Sequence, residues 1–593
     1  MNKLVKIMAF MPLLLCACDD LFEPAIENNR DLESMYEEPS YAQGVMTNAY
    51  LLLPYNSAPT SDVATDDAVS NDNGNAWRSI CTGAWTSQND PASQWKDRYN
   101  AIQYLNLFLE RADDVKWARD ERVKQMFADR LKGEAYGLRA LQLFYLLRAH
   151  GGVSADGQLL GVPIKIHSEN SESDFSAPRD TYQACVEQIL EDCKTAIELL
   201  PLDYKTHSEA EIPQKYKDLG VVKASDYDRV NGSHMGGRIT RRIVEAIQAQ
   251  VSLMAASPAY SEGSGMTWEH AADYAAIVLD RISGINGMDE DGNTWYANTQ
   301  EINDIASGAV PAEIIWRSDK GDSNSLESDN FPPTLYGKGR VNPTQNLVDA
   351  FPMANGYPIT DEIHSGYDAN DPYLNRDPRL ATYILLNGGT QGPSDKTITT
   401  GAYGTDNDAL NKELGRSTRT GYYLRKLLRK DCNIDPNYNT TQKHYTARIR
   451  YTEIFLAYAE AANEAWGPQG KGTHDYSAYD VIKKIRSRAG LGKENGDAYL
   501  ESIKNDVDKM RELIRNERRL ELCFENIRFY DLRRWKVDLT EGARGMNITQ
   551  QANGVLKYTP IDVEVRDFKP YMNYGPIPYT EVLNFGFLQN QGW

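Results

Sequence analysis

The stretch 510-MRELIRNERRLELCFENIRFYDLRRW-535 decides how the rest of this chain is read. Leu513, Leu520, Phe524 and Ile527 recur at steps of seven, four and three residues with no Gly or Pro between them. That spacing predicts an amphipathic helix with an apolar stripe to bury. The other faces carry Glu512, Arg515, Glu517, Arg518, Arg519, Glu521, Glu525 and Arg528. Glu525 with Arg528, and Asp531 with Arg534, have the three-residue spacing of helix-surface ion pairs. Mixed charge of this kind reads as a salt-bridged helix docked on a core, not as catalytic machinery. Phe529, Tyr530 and Trp535 close the run.

Working outward, the same helical periodicity returns many times. Tyr41 to Leu53 predicts a first helix, ended by Pro54, and Trp95 to Ala112 a second, with Tyr99, Ile102, Leu105, Phe108 and Leu109 on one face. Arg122 to Leu147 follows; Gly133, Ala135 and Ala140 permit close helix approach there, and Gly151-Gly152 stops it. Two antiparallel helices with small residues at their crossing resemble a tetratricopeptide pair. Tyr182 to Leu200 pairs with Ile239 to Ala256, Trp268 to Ile282 begins another unit, YTEIFLAYAEAANEAWG pairs with Ala478 to Gly490, and Leu500 to Phe524 adds a further helix. Between about Asp289 and Lys443 the periodicity fades and Gly, Pro, Asn and Asp cluster, leaving only short strands such as Glu313 to Arg317 and Tyr422 to Lys426. The expected architecture is mostly α: a tetratricopeptide-like helical scaffold carrying a loop-rich irregular insertion. The expected boundaries are a leader at 1-17, helical repeats with a Trp-bearing loop at 18-288, the irregular region at 289-443 and a C-terminal helical region at 444-593.

Composition narrows the function classes. The formal net charge is -20, and no Lys/Arg-rich block appears, which argues against a nucleic-acid partner, a polybasic membrane grip or a strongly anionic substrate. With 35 Tyr and 10 Trp, the chain has aromatic side chains beyond what a helical core needs, available to stack on a flat ligand face. Past the leader, Cys81, Cys185, Cys193, Cys432 and Cys523 are scattered, so neither a disulfide framework nor a paired metal motif is indicated, and they read as buried thiols. Cys185 and Cys193, on one predicted helix, lie roughly 12 Å apart along its axis, too far to bridge. Asp289 to Asp291 place oxygen donors before a Gly without EF-hand spacing, and no HExxH, GxSxG or P-loop pattern occurs. No catalytic residue, metal or cofactor is predicted.

The first residues, MNKLVKIMAFMPLLLCAC, put Lys3 and Lys6 before a short apolar run, the layout of an export signal too short to span a bilayer. Leu15-Cys16-Ala17-Cys18 resembles a bacterial lipobox, making Cys18 the expected lipidation site and mature N-terminus. Acyl chains contribute about 0.8 kcal/mol per buried methylene, so two or more anchor a protein without a membrane-spanning helix. Losing Lys3 and Lys6 with the leader takes the formal charge from -20 to -22.

These pieces together resemble the SusD/RagB family of outer-membrane lipoproteins. The resemblance runs through the lipobox, LKGEAYGLRALQLFYLLRAHGG (131-152), PTQNLVDAF (343-351) with Asn355-Gly356, RDPRL (376-380), TGYYLRK (420-426), IRYTEIFLAYAEAANEA (449-465), VIKKIRSRAG (481-490) and the 510-535 stretch. The ending PIPYTEVLNFGFLQNQGW is similar to the family's, with Gln591 where Pro is usual. The resemblance implies a non-catalytic surface lipoprotein on the outer membrane, facing the cell exterior. It would capture oligosaccharide for a SusC-like TonB-dependent transporter, with the helical repeats toward the transporter. Acidic residues after the lipid-bearing Cys, here Asp19-Asp20, resemble the family's surface-export signal.

A glycan binder needs aromatic plates and planar amides or carboxylates for paired hydroxyls. The long segment Ser57 to Pro91 supplies both: Asp66, Asp67, Asn73, Asn75, Trp77 and Trp85. The alternative for Trp77 and Trp85 is that they pin this loop to the scaffold. A second set is Trp295 and Tyr296, with Tyr336 and Arg340; Trp316, in EIIWRSD, reads as core. Three other functions compete: peptide capture by the same kind of machine, a glycoside hydrolase, and a pure tetratricopeptide scaffold for protein partners. The hydrolase needs two carboxylates about 5 to 9.5 Å apart in one cleft, and no motif promotes such a pair.

Overall fold

The computed structural model describes residues 34–593. The leader and Cys18 lie outside the described residues.

The predicted helices are present with ends shifted by a few residues, except that the one expected over Leu500 to Phe524 divides into Ala498–Ile503 and Val507–Leu522. They are α1 (Pro39–Leu51), α2 (Trp95–Leu109), α3 (Glu121–His150), α4 (Tyr182–Leu199), α5 (Arg241–Ala256) and α6 (Trp268–Asp280), then α7 (Tyr451–Trp466), α8 (Ala478–Ala489), α9 (Val507–Leu522) and α10 (Arg528–Arg534). Their starts are chemically marked. The side chains of Asp120, Thr181, Thr240, Thr267, Ser477 and Asp506 accept backbone N–H groups at the first turns of α3, α4, α5, α6, α8 and α9, satisfying donors that have no helical partner. Each helix packs on the next: α2 on α3, α3 on α4, α4 on α5, α5 on α6, and α6 on α7, which then meets α8 and α9. This is the stacked scaffold expected of helical repeats. A Cβ at Gly137 would come within 2.9 Å of Val244 and 3.0 Å of Ile239, and one at Gly133 within 2.8 Å of Leu200. Small residues on α3 therefore set the separation of α3 from its neighbours.

Strand structure among the described residues consists of antiparallel pairs. β1 (Ala68–Ser70) pairs with β4 (Val341–Pro343), β2 (Ile314–Arg317) with β6 (Ala447–Arg450), and β3 (Gly321–Ser323) with β5 (Gln442–His444). A long hairpin, β7 (Ala543–Gln550) with β8 (Leu556–Glu564), adds a feature the sequence reading passed over. The main apolar cluster fills the helical stack and includes Trp316, 1% exposed, as expected. A second cluster, including Trp295, Tyr383, Tyr422, Leu520, Phe524 and Ile548, fills the loop-rich half.

The stretch 510-535 departs from the expected single helix. α9 stops at Leu522, and Phe524 (φ 65°) and Asn526 (φ 61°) take left-handed backbone before α10 begins. The cause is Asp62, whose carboxylate accepts the N–H of Phe524 at 2.9 Å and of Asn526 at 3.1 Å, two donors a continuous helix would have used internally. The apolar positions then serve both clusters: Leu513 and Ile527 face the helical stack, Leu520 and Phe524 the loop-rich half. The Asp531–Arg534 pair forms at 2.8 Å. The expected Glu525–Arg528 pair does not; the chain turns between them, and Arg528 binds Asp66 at 2.9 Å.

Candidate ligand-binding site

The elbow between α9 and α10 is clamped to the N-terminal loop. Besides the Asp62 contacts, Asn526 Oδ1 accepts from Ser61 N–H at 3.0 Å, and its Nδ2 donates to Ala58 O at 2.9 Å. Burial, reinforced by the nearby Asp67 charge, pushes Asp62 up to about 7. Arg519 and Arg528 converge on Asp66 at 3.0 and 2.9 Å. Against the cost of burial they hold its carboxyl well below the usual range.

Charges the sequence placed on exposed faces are buried behind this elbow. Glu517 and Glu521, one turn apart on α9, are both 0% exposed. Arg379 bridges them at 2.9 and 2.9 Å, Arg486 binds Glu517 at 2.8 Å, and Arg488 binds Glu521 at 2.9 Å. Arg450 joins Glu313 at 2.7 Å to Glu525 at 2.8 Å, and Lys426 reaches Glu525 at 2.7 Å. Residues from the RDPRL, TGYYLRK, IRYTEIF and VIKKIRSRAG motifs thus meet on one helix end, tying the loop-rich half to the scaffold.

In front of the elbow opens a cleft of about 290 Å³. Its wall includes Tyr55, Trp77, Tyr145, Arg148, Gln250, Arg448, Glu453, Glu525 and Tyr530. Tyr55 packs edge-on against Tyr145 (5.7 Å) and Trp316 (5.6 Å). Arg148 lies 4.0 Å from the Tyr145 ring and 3.7 Å from the Tyr530 ring, and Arg448 lies 4.8 Å from Trp316, so both guanidinium planes are held by aromatic faces. Arg148 Nε and Gln250 Oε1 are buried without a protein hydrogen-bond partner. The two carboxylates differ. Burial raises Glu453 above the ordinary range, with Arg518 offsetting only part. Burial also acts on Glu525, but Arg450 and Lys426 outweigh it and hold that group low. Two cavities of about 60 Å³ flank the cleft. One shares Arg148, Gln250, Glu453 and Tyr530 with it; the other shares Asn56, Ala447, Glu525 and Asn526.

The sequence-nominated residues divide among these features. Trp77, half-buried, forms cleft wall and packs edge-on against Phe529 at 5.3 Å. Trp85 is 3% exposed, donates to Asp90 at 2.9 Å and packs on Trp593 at 4.7 Å, so it anchors the loop and borders the first side cavity. Trp295 and Tyr296 are buried and border the second. Asp67 is fully buried and bound to Arg519 at 2.6 Å, which makes it part of the elbow clamp. Asn73 accepts from Arg78 at 2.9 Å, and Asn75 accepts the N–H of Trp77 at 3.0 Å. Tyr336, 52% exposed with φ 66°, joins that loop and not Trp295: β1 pairs with β4, and Asn71 donates to the carbonyls of Lys338 and Gly339 at 2.9 and 2.8 Å. Asn73, Asn75, Tyr336 and Arg340 therefore belong to a second, outer surface. Sequence reasoning missed Arg148 and Gln250 because they sit inside segments read as packing helices, and Arg448 because the strand that carries it was not foreseen. The available signal was an Arg within the apolar run FYLLRAH.

Two family profiles match the chain: the SusD family over residues 312–593, and "Starch-binding associating with outer membrane" over residues 31–215. The chain belongs to the SusD/RagB family. Among curated SusD-like relatives, protein P25 of Formosa agariphila is 30% identical over 393 residues, 60% of this chain and 63% of the relative. Protein P2 of the same organism is 35% identical over 91 residues, 15% of this chain and 16% of the relative. The chain thus spans less than two thirds of either curated relative. A SusD-like protein of Bacteroides fragilis superposes with TM-score 0.70 at 22% identity, covering 96% of this chain and 100% of its own. A SusD-like carbohydrate binding protein of the same species gives 0.65 at 20% identity, covering 92% and 98%. The mostly α SusD-like fold follows. Among the described residues no helix is long and apolar enough to cross a membrane.

Proposed function

We propose that this chain is a non-catalytic surface lipoprotein that captures oligosaccharide in the cleft at the α9–α10 elbow. Held to the outer membrane through Cys18 and facing the cell exterior, it would pass its cargo to a SusC-like TonB-dependent transporter docked on the helical scaffold. The cleft's composition carries this reading. Tyrosine and tryptophan rings supply flat apolar faces, and Arg148, Gln250, Arg448 and Glu453 supply donors and acceptors for sugar hydroxyls, two of them with atoms that lack a protein partner. Family membership, and the carbohydrate-binding description of the Bacteroides fragilis relative, support it. The outer surface around Asn73, Asn75 and Tyr336 is the second place proposed for sugar contact, with Trp77 lining the cleft and Trp295 and Tyr296 the side cavity beside it.

A hydrolase reading has one observation in its favour: Glu453 and Glu525 share the cleft and shift in opposite directions. Glu525, however, has both oxygens engaged by Arg450 at 2.8 and 2.9 Å and one also by Lys426 at 2.7 Å, which supports a structural role for it. Calorimetry against a panel of oligosaccharides and a panel of peptides tests the proposal. Saturable binding of a glycan, with no reducing sugar released on long incubation, is the expected result. Binding only to peptides, or release of reducing ends by purified protein, overturns it.

A further inference from the structure

Away from the cleft wall, the loop-rich half brings three different metal-donor types together. Glu327 comes from the short helix Ser325–Asn330, Cys432 from the turn after Arg429, and His444 from the end of β5. One donor atom from each, a carboxylate oxygen, Sγ and an imidazole nitrogen, lies within 4.8 Å of the other two. Glu327 and Cys432 are 0% exposed, and His444 is half-buried.

The hydrogen bonding leaves this cluster incomplete. Glu327 Oε1 accepts the backbone N–H of Arg429 at 2.7 Å and faces His444 Nε2 at 3.0 Å. Its Oε2 is buried with no partner, an expensive state for a carboxylate oxygen. Arg429 does not supply the missing charge. Its guanidinium points to Asp431, at 2.9 and 2.8 Å, and to Lys443 O at 2.9 Å. His444 Nδ1 lies 2.8 Å from Gln442 O, so Nδ1 carries a proton and Nε2 is the atom turned toward Glu327 and Cys432. A carbonyl holding the far ring nitrogen is the outer-shell arrangement that orients a metal-binding histidine.

We propose that Glu327, Cys432 and His444 form a three-ligand site for a divalent ion of the zinc class. Thiolate, imidazole and carboxylate are the donors that zinc takes, whereas calcium and magnesium require oxygen shells. The charges also balance: one thiolate and one carboxylate neutralise a divalent ion, with the imidazole neutral. Binding displaces the thiol proton, and the Nε2 proton where the ring is charged, to solvent; no oxidation or reduction occurs. Three protein ligands leave one tetrahedral position for water or an outside ligand. His444 also borders the side cavity at Trp295 and Tyr445, which gives the ion a way in. Because the ligands come from three segments, the ion would clip the β3–β5 pair to the helix Ser325–Asn330.

Cobalt titration of the chelator-treated full chain tests this without requiring activity. The expected result is one tightly bound cobalt per chain with a thiolate-to-cobalt charge-transfer band, bleached by one equivalent of zinc, and proton release on binding measured in weak buffer. C432S should lose that band, and H444A should weaken zinc binding by more than about tenfold. The wild-type spectrum stands even where a variant folds poorly. Absence of the band in the wild type, or its persistence in C432S, overturns the proposal.

Discussion

Replacing Glu521 with Gln removes the charge on which the buried network turns while keeping the side chain's shape. Glu521 is fully buried, with one oxygen bound by Arg379 and the other by Arg488, both at 2.9 Å. Burial alone would raise its pKa, but Arg488, Arg379, Arg450 and Lys426 outweigh that and bring it from 4.5 down to about 2. At ~1.4 kcal/mol per unit, this depression corresponds to about 3 kcal/mol of stability at neutral pH. The folded pKa lies below the unfolded one, so the contribution is full above about pH 4.5 and is lost as pH falls through about 2. Removing one member of a buried ion pair typically costs about 3–5 kcal/mol, because the partner charge stays buried; of its carboxylate partners Arg488 would keep Glu313, 3.8 Å away, beside neutral hydrogen bonds to Asp289 O and Thr452. The two routes agree on about 3 kcal/mol. Urea unfolding at pH 7, followed by tryptophan fluorescence and circular dichroism, measures it against E512Q, an exposed site on the same helix. The gap between the variants should narrow below about pH 4.5. A loss for E521Q within about 0.5 kcal/mol of the control would refute the network's role in holding the elbow.

Other outcomes follow from the same structure. His150 is buried between the N–H of Gln94 at 3.0 Å and Pro576 O at 2.7 Å, and burial lowers it from 6.5 to about 4. Stability should therefore drop by about 3 kcal/mol as pH falls from 6.5 toward 4, and H150Q should flatten that slope in pH-dependent thermal melts. G137V drives methyl groups into Val244 and Ile239, whose nearest atoms would stand 2.9 and 3.0 Å from the new Cβ, and should cost about 1–3 kcal/mol in urea unfolding. W85A removes the ring wedged against Trp593 and Phe529; about 3–5 kcal/mol of stability should go, again read by urea unfolding.

The scaffold was legible because apolar periodicity, small residues at crossings and capping side chains are local signals. The break in 510-535 was not, because it depends on Asp62, more than four hundred residues away in the chain, capturing two backbone N–H groups. Glu517 and Glu521 read as solvent-facing for a related reason: their counter-charges, Arg379, Arg486 and Arg488, arrive from other motifs. The β7–β8 hairpin escaped notice although Asn553-Gly554 marks its turn, with Gly554 at φ 83°. Of the two Trp residues in the long loop, Trp77 lines the cleft and Trp85 does not, and nothing in the loop's sequence indicated the cleft's polar groups. Arg148 and Arg448 meet there only once α3 and β6 are packed. The Glu327, Cys432 and His444 cluster has no sequence motif, since its members are 105 and 12 residues apart.

The central claim, that cargo is held in the cleft at the elbow, is tested most directly by the affinity of R448A for whichever oligosaccharide the wild type binds, beside Y336A on the outer surface. Losing a guanidinium that bonds sugar hydroxyls should weaken binding by about tenfold in isothermal calorimetry, or about 1.4 kcal/mol, while Y336A, at the second contact surface, loses clearly less. Unchanged affinity in folded R448A, with the loss appearing in Y336A instead, would contradict the account.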